Sequence, residues 1–248
     1  MNIGALFFLA VFGGAMGVYW FLGRRGGKPN LRDIPAFYRM RGAVELAVED
    51  GSRIHLSIGS NDITSPQSGI SLIGLSLVRQ IATVASDSDL PPVTTMGNGM
   101  LAILAQDTLR AAYNSLGLGA DFDNSLARIT GLTPFAFAAG VTSVMLDEEI
   151  SANIISGSFH DELAVITTTA NRAQILTLGG TDTLSGQAVA YASVDYPLIG
   201  EEVFASVAYL NDDPLHVASL HAQDVVRWIV IGLLTLGALG GLFGGLGG

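Results

Sequence analysis

The chain has 248 residues, with 22 acidic residues against 12 basic ones and no cysteine. Without cysteine there is no disulfide, thiol nucleophile, iron–sulfur cluster or cysteine-type zinc site. A formal charge of −10 repels phosphate backbones and argues against nucleic acid as a partner.

Two apolar runs close the chain at its ends. Ile3–Gly23 and Trp228–Gly248 are each long enough to cross the hydrocarbon core of a bilayer as a helix, which takes about 20 residues. They account for most of the high mean hydropathy of +0.47. The expected organisation is a first transmembrane helix over 3–23, a basic juxtamembrane linker over 24–41, an α/β domain over 42–224 and a glycine-rich second transmembrane helix over 225–248. From Gly42 to Asp224 there are five basic residues against 21 acidic ones, a net of −16. Arg24, Arg25, Lys28 and Arg32 follow the first run and Arg227 opens the second. Basic flanks favour the cytoplasmic side. The expected arrangement in the cell (inner) membrane is therefore a cytoplasmic central domain with both termini outside. Only Met1 and Asn2 precede the first apolar run, and its positive charge comes afterwards, the pattern of a signal-anchor and not of a cleaved signal peptide.

Glycines recur four apart in these runs: Gly13 with Gly17, Gly237 with Gly241, Gly240 with Gly244 and Gly241 with Gly245. Such spacing lets helix backbones approach closely in lipid, within one chain or between subunits.

In chain order, Ala43–Glu49 alternates apolar and polar residues, Asp50-Gly51 is a hairpin turn signal, and Arg53–Ile58 returns with Ile54, Leu56 and Ile58 on one face. Gly69–Ser86 has helical spacing. Pro92–Met96 reads as a strand and Met100–Leu116 as a helix. Leu118–Pro134 is irregular, and Phe135–Leu146 fits helix or strand. Ala152–Ser156 (strand), Asp161–Ala173 (helix), Gln174–Leu178 (strand), the turn Gly179-Gly180 and Leu184–Val194 (helix) follow, then a helix from Pro197 to Leu210. This alternation predicts a Rossmann-like α/β domain with a mostly parallel sheet and an added N-terminal β-hairpin, flanked by two transmembrane helices.

Gly97-Asn98-Gly99-Met100-Leu101-Ala102 matches G-x-G-x-x-[GA] between a strand and a helix, the context of a phosphate-binding turn. An acid should follow about 20 residues on, and Asp121 and Asp123 have that distance but sit in a loop. Gly179, Gly180 and Asp182 form a second strand-end turn, where Asp182 or Thr183 could cap the next helix. Ser60, Asn61, Asn98, Ser158 and Asp182 would share one sheet edge, a crevice by analogy of fold. A lone glycine pattern is a weak signal, and a plain strand-to-helix turn explains it as well.

No catalytic constellation stands out. There is no GxSxG elbow, no Walker lysine and no HExxH, and the single lysine is Lys28. His216 and His221 are five apart, on different helix faces. Asp121-Phe122-Asp123 starts like a calcium loop but lacks its central glycine and closing glutamate. No metal ligand and no cofactor is assigned.

Glu49-Asp50-Gly51-Ser52-Arg53-Ile54-His55-Leu56-Ser57, Ala105–Tyr113, Pro197-Leu198-Ile199-Gly200-Glu201-Glu202 and Ser219–Asp224 together resemble an uncharacterised family of bacterial membrane proteins, a domain of unknown function. The resemblance covers most of Gly42–Trp228. It implies two spans around one α/β-type domain and carries over no activity, cofactor or site residue. The expected role is a non-catalytic scaffold anchored in the lipid bilayer, whose cytosolic α/β domain assembles as a homo-oligomer or with partners. The alternatives are a small-ligand or nucleotide-binding, even enzymatic, domain and an accessory subunit of a larger membrane complex. A charged fraction of 14 %, against about 25 % in soluble domains, leaves surface for protein contacts.

Overall fold

A computed structural model of the chain describes residues 3–24, 31–65, 68–86, 88–211 and 214–244. Arg25 and Lys28 of the basic linker and Gly245 of the second glycine run lie outside the described residues. The structure divides into two units: a pair of terminal helices, and an α/β unit spanning Asp33–Leu210.

In the first unit, α1 (Ile3–Gly23) packs against α9 (Pro214–Gly244). The Tyr19 and His221 rings stack at 5.0 Å, bringing the end of α1 beside the early turns of α9. Gly4–Gly23 and Pro214–Gly240 are both long and apolar enough to cross a membrane. Arg24 lies 4.2 Å over the Trp20 ring at the end of α1. On α9, Asp224 and Arg227 pair at 3.2 Å just before Trp228.

In the α/β unit, α2 (Pro35–Asp50) leads into β1 (Arg53–Gly59), and strand and helix then alternate: α3 (Gly69–Ala85), β2 (Val93–Met96), α4 (Gly99–Ser115), β3 (Ala127–Ile129), α5 (Pro134–Asp147), β4 (Ile150–Ser158), α6 (Leu163–Ala173), β5 (Leu176–Thr181), α7 (Leu184–Ser193) and β6 (Tyr196–Pro197). A 3-10 turn, Gly200–Ala205, and α8 (Ser206–Asn211) follow. All five strand pairings are parallel, in the order β3-β2-β1-β4-β5-β6. This is the doubly wound order of dinucleotide-binding folds, whose order reverses between β1 and β4. Both faces of a parallel sheet must be covered. Ile54, Leu56, Ile58, Met96, Ile154 and Leu178 meet residues of α2, α3 and α4 on one side. Val93, Ile155, Phe137, Leu163 and Ile166 form a second core with α5, α6 and α7.

The expected N-terminal hairpin does not form among the described residues. Its first arm is α2, which buries Ala36, Phe37, Met40, Ala43, Val44 and Ala47 at helical spacing and leaves Leu46 56 % exposed. Pro35 opens the helix, where its missing N–H costs nothing. Gly51, at φ 67°, closes it, its N–H bonded to Ala47 O. The Asp50-Gly51 signal is thus a helix stop and not a β-turn.

Three smaller expectations also change. The irregular stretch after α4 contains the edge strand β3, only three residues long. The ambiguous segment from Phe135 is the helix α5. The helix expected from Pro197 is split into β6, a 3-10 turn and α8.

Candidate functional site

In this fold, ligands bind beyond the carboxyl ends of the strands where the strand order reverses. Here the ends of the two strands that flank that place meet closely. The β1–β4 register runs to Gly59↔Ser158. A Cβ on Gly59 would lie 2.8 Å from both N and O of Ser158, and one on Gly157 would fall on the Ile58 carbonyl. Glycine at both positions lets the two strand ends touch backbone to backbone. The loop after β1, Gly59-Ser60-Asn61-Asp62, has no G-x-G-x-x-G, and α3 starts only at Gly69, with the Phe204 ring 3.7 Å from where a Gly69 Cβ would stand.

Gly97-Asn98-Gly99 follows β2 instead of β1. Gly97 is buried, with its N–H bonded to Gly59 O at 3.0 Å, and an added Cβ would lie 2.5 Å from Ser60 Cβ. Asn98 caps α4, its Oδ1 accepting from Met100 N at 2.9 Å and Leu101 N at 3.2 Å. Those are two of the N–H groups that a phosphate would need. Gly99 is exposed and has open space at its Cβ position. No acid stands at the end of β3, the strand that follows this turn, which closes on Ile129. Asp123 precedes β3 and accepts from Ser125 N at 2.8 Å, and the Ser125 side chain and amide hold its carboxyl below the usual range.

Gly179 and Gly180 are not a turn. Both lie inside β5, opposite Ile155 and Ser156. Gly179 has φ 110°, and a Cβ there would fall on the Ile155 carbonyl; on Gly180 it would fall on that of Leu198. Thr183, not Asp182, caps α7, accepting from Gly186 N at 3.1 Å and bonding Phe159 O. Asp182 Oδ1 is buried with no hydrogen-bond partner among the described residues. Nearby, the buried Glu162 accepts from His160 N at 3.0 Å. The exposed pair His160 Nδ1 and Ser185 Oγ stands 3.5 Å apart, long for proton transfer, with no group orienting the second ring nitrogen among the described residues. Among those residues no three His, Asp or Glu side chains gather as a metal site would require.

The sheet's most distinctive chemistry lies deeper, and sequence reasoning missed it. His55, in the middle of β1, is wholly buried between Asn153 of β4 (Nδ1···Oδ1 2.7 Å) and Thr95 of β2 (Nε2···Oγ1 2.8 Å). The Asn153 oxygen can only accept, so Nδ1 carries the proton and Nε2 accepts from the Thr95 hydroxyl. Burial pushes the His55 pKa from 6.5 down to about 4. Ser57 Oγ and Asn153 Nδ2, also buried, have no partner among the described residues. At the amino edge of the sheet, Glu148 joins Arg53 at 2.5 Å and Arg128 at 2.6 Å. The missed signal was the alternation itself. In β1 the polar residues His55 and Ser57 lie between Ile54, Leu56 and Ile58, which reads as a solvent face in a hairpin but as an interior face in a parallel sheet.

The glycines of the terminal helices stand differently from those of the sheet. At Gly13, Gly17, Gly237 and Gly240 an added Cβ would meet nothing within 4 Å. These positions do not bring α1 and α9 together. Gly241 and Gly244 continue α9.

The family described as Domain of unknown function (DUF6754) matches residues 2–245. The chain belongs to this family. No curated protein and no solved structure matches it. The DUF6754 match therefore covers both apolar helices and the whole α/β unit and assigns neither an activity nor a site.

Proposed function

We propose that this protein is a non-catalytic membrane anchor and scaffold that assembles with copies of itself. On this reading α1 and α9 each cross the bilayer once, and the chain between them stands on the cytoplasmic side with both termini outside. Their apolar length supports the crossing. Arg24 with Trp20, and Arg227 with Trp228, supply the cationic and aromatic residues that favour a cytoplasmic membrane interface.

One observation carries the assembly reading: large apolar side chains stand exposed on the segments that follow the strands of the sheet. Ile103 (68 %) on α4, Leu132 (76 %) after β3, Phe135 (64 %) on α5 and Leu184 (85 %) on α7 are exposed. Exposed apolar surface of this kind is what a protein–protein contact covers. The open faces of Gly13, Gly17, Gly237 and Gly240 support the same reading within the bilayer.

The test is the native mass of the full chain solubilised from membranes in mild detergent. Two or more copies per particle are expected. A single-copy particle would overturn the assembly reading, and a foreign subunit retained in fixed ratio would replace it with membership of a larger complex.

A further inference from the structure

α2 carries an outward face that its own unit leaves uncovered. Tyr38 is 79 % exposed and Leu46 56 % exposed, with Arg39, Gly42, Glu45 and Glu49 exposed beside them. With Ala43 and Leu176 these residues line a groove of about 370 Å³. Gly42 lies at the middle of the helix, and a Cβ there would meet nothing within 4 Å. Glu45 and Glu49 make no ion pair among the described residues. Arg39 stands 5.4 Å above the Tyr196 ring, with no carboxylate joined to it among those residues.

We infer that this face is a contact between two copies of the chain, their α2 helices crossing antiparallel about a two-fold axis at Gly42. The inference rests on the self-assembly reading and names the surface that serves it. A two-fold contact sets each residue opposite the one at the mirrored position on the partner helix. Mirroring about Gly42 exchanges position 38 with 46 and position 39 with 45. Tyr38 then packs on Leu46 of the other copy, and Arg39 meets its Glu45. Both exchanges occur twice. The face therefore matches itself at its apolar pair and at its Arg39–Glu45 pair, and no foreign partner is needed to explain either. A glycine at the axis lets the two backbones approach more closely than the usual 8–10 Å between helix axes. The arginine lies in the first half of α2 and the glutamates in the second, so a parallel pairing would instead set like charges together.

The absence of cysteine makes the test direct. Gly42→Cys in the full chain places a thiol at the axis, and mild oxidation should give a covalent dimer. Arg172→Cys, on the exposed side of α6, should give none. Arg39→Glu and Glu45→Arg should each weaken self-association by about tenfold, since each turns two attractive pairs repulsive. The double swap, Arg39→Glu with Glu45→Arg, should restore association, which a folding defect would not do. An oligomer of normal mass in which Gly42→Cys stays uncross-linked, or in which the double swap associates no better than the single reversals, would overturn the α2 contact and leave the assembly reading standing. A single-copy wild-type particle would overturn both.

Discussion

His55 shows how one buried residue ties folding to pH. It sits in the central strand, hydrogen-bonded on both sides, and the shift of its pKa to about 4 comes first from burial and is opposed by the Asn153 bond. Above about pH 6.5 the ring is neutral in both folded and unfolded chains, and the full stability is present. As the pH falls below that value the unfolded chain takes up a proton that the folded ring resists until about pH 4. Stability should thus decline across that window, by about 3 kcal/mol in all, and level off beneath it. Denaturant titrations of the detergent-solubilised chain at stepped pH would show the slope. His55→Gln should lower stability at neutral pH, because Asn153 and Thr95 lose a shaped partner, and should flatten the slope between pH 6.5 and 4. A slope unchanged in His55→Gln would assign the pH response to other groups.

At the scale of elements, the glycine-rich turn at Gly97–Gly99 is explained by how a strand hands over to a helix. Gly97 makes room for Ser60, and Asn98 satisfies two amides at the start of α4. Asn98→Ala should lower thermal stability by about 1 kcal/mol, the usual cost of losing an N-cap. The same variant separates the two readings of this turn. If it left stability untouched but abolished binding of an added nucleotide, Asn98 would belong to a ligand site and not to a cap. α2 teaches a related lesson. Val44, Leu46 and Val48 alternate as a strand would, yet the small residues Ala36, Ala43 and Ala47 complete a helical stripe with Phe37, Met40 and Val44. Periodicity counted on large apolar residues alone points to the wrong element.

For the whole molecule, a six-stranded parallel sheet in doubly wound order stands between two apolar helices in sequence. The sheet has the doubly wound order of nucleotide-binding domains, but its glycine-rich turn follows β2 and not β1, and fold by itself assigns no ligand. The proposed membrane arrangement can be checked in two steps. Carbonate washing should leave the protein in the membrane pellet, and protease added to intact cells should spare the region between Asp33 and Leu210. Release by carbonate, or digestion of that region from outside, would refute the arrangement.

The amino-acid sequence alone determined the features that depend on local pattern. The two apolar helices follow from uninterrupted length, and the parallel α/β class follows from strands and helices in alternation. Family membership was legible for the same reason, since it rests on residues in order. Only the tertiary structure decided what depends on neighbours distant in the chain. It showed that Gly59, Gly157, Gly179 and Gly180 bring backbones together, that His55 is bonded across three strands, and that the first arm of the expected hairpin is a helix. A glycine in sequence looks the same whether it opens space for a ligand or for another strand, and a polar residue in a strand looks the same facing water or the interior. Long-range packing settles each choice.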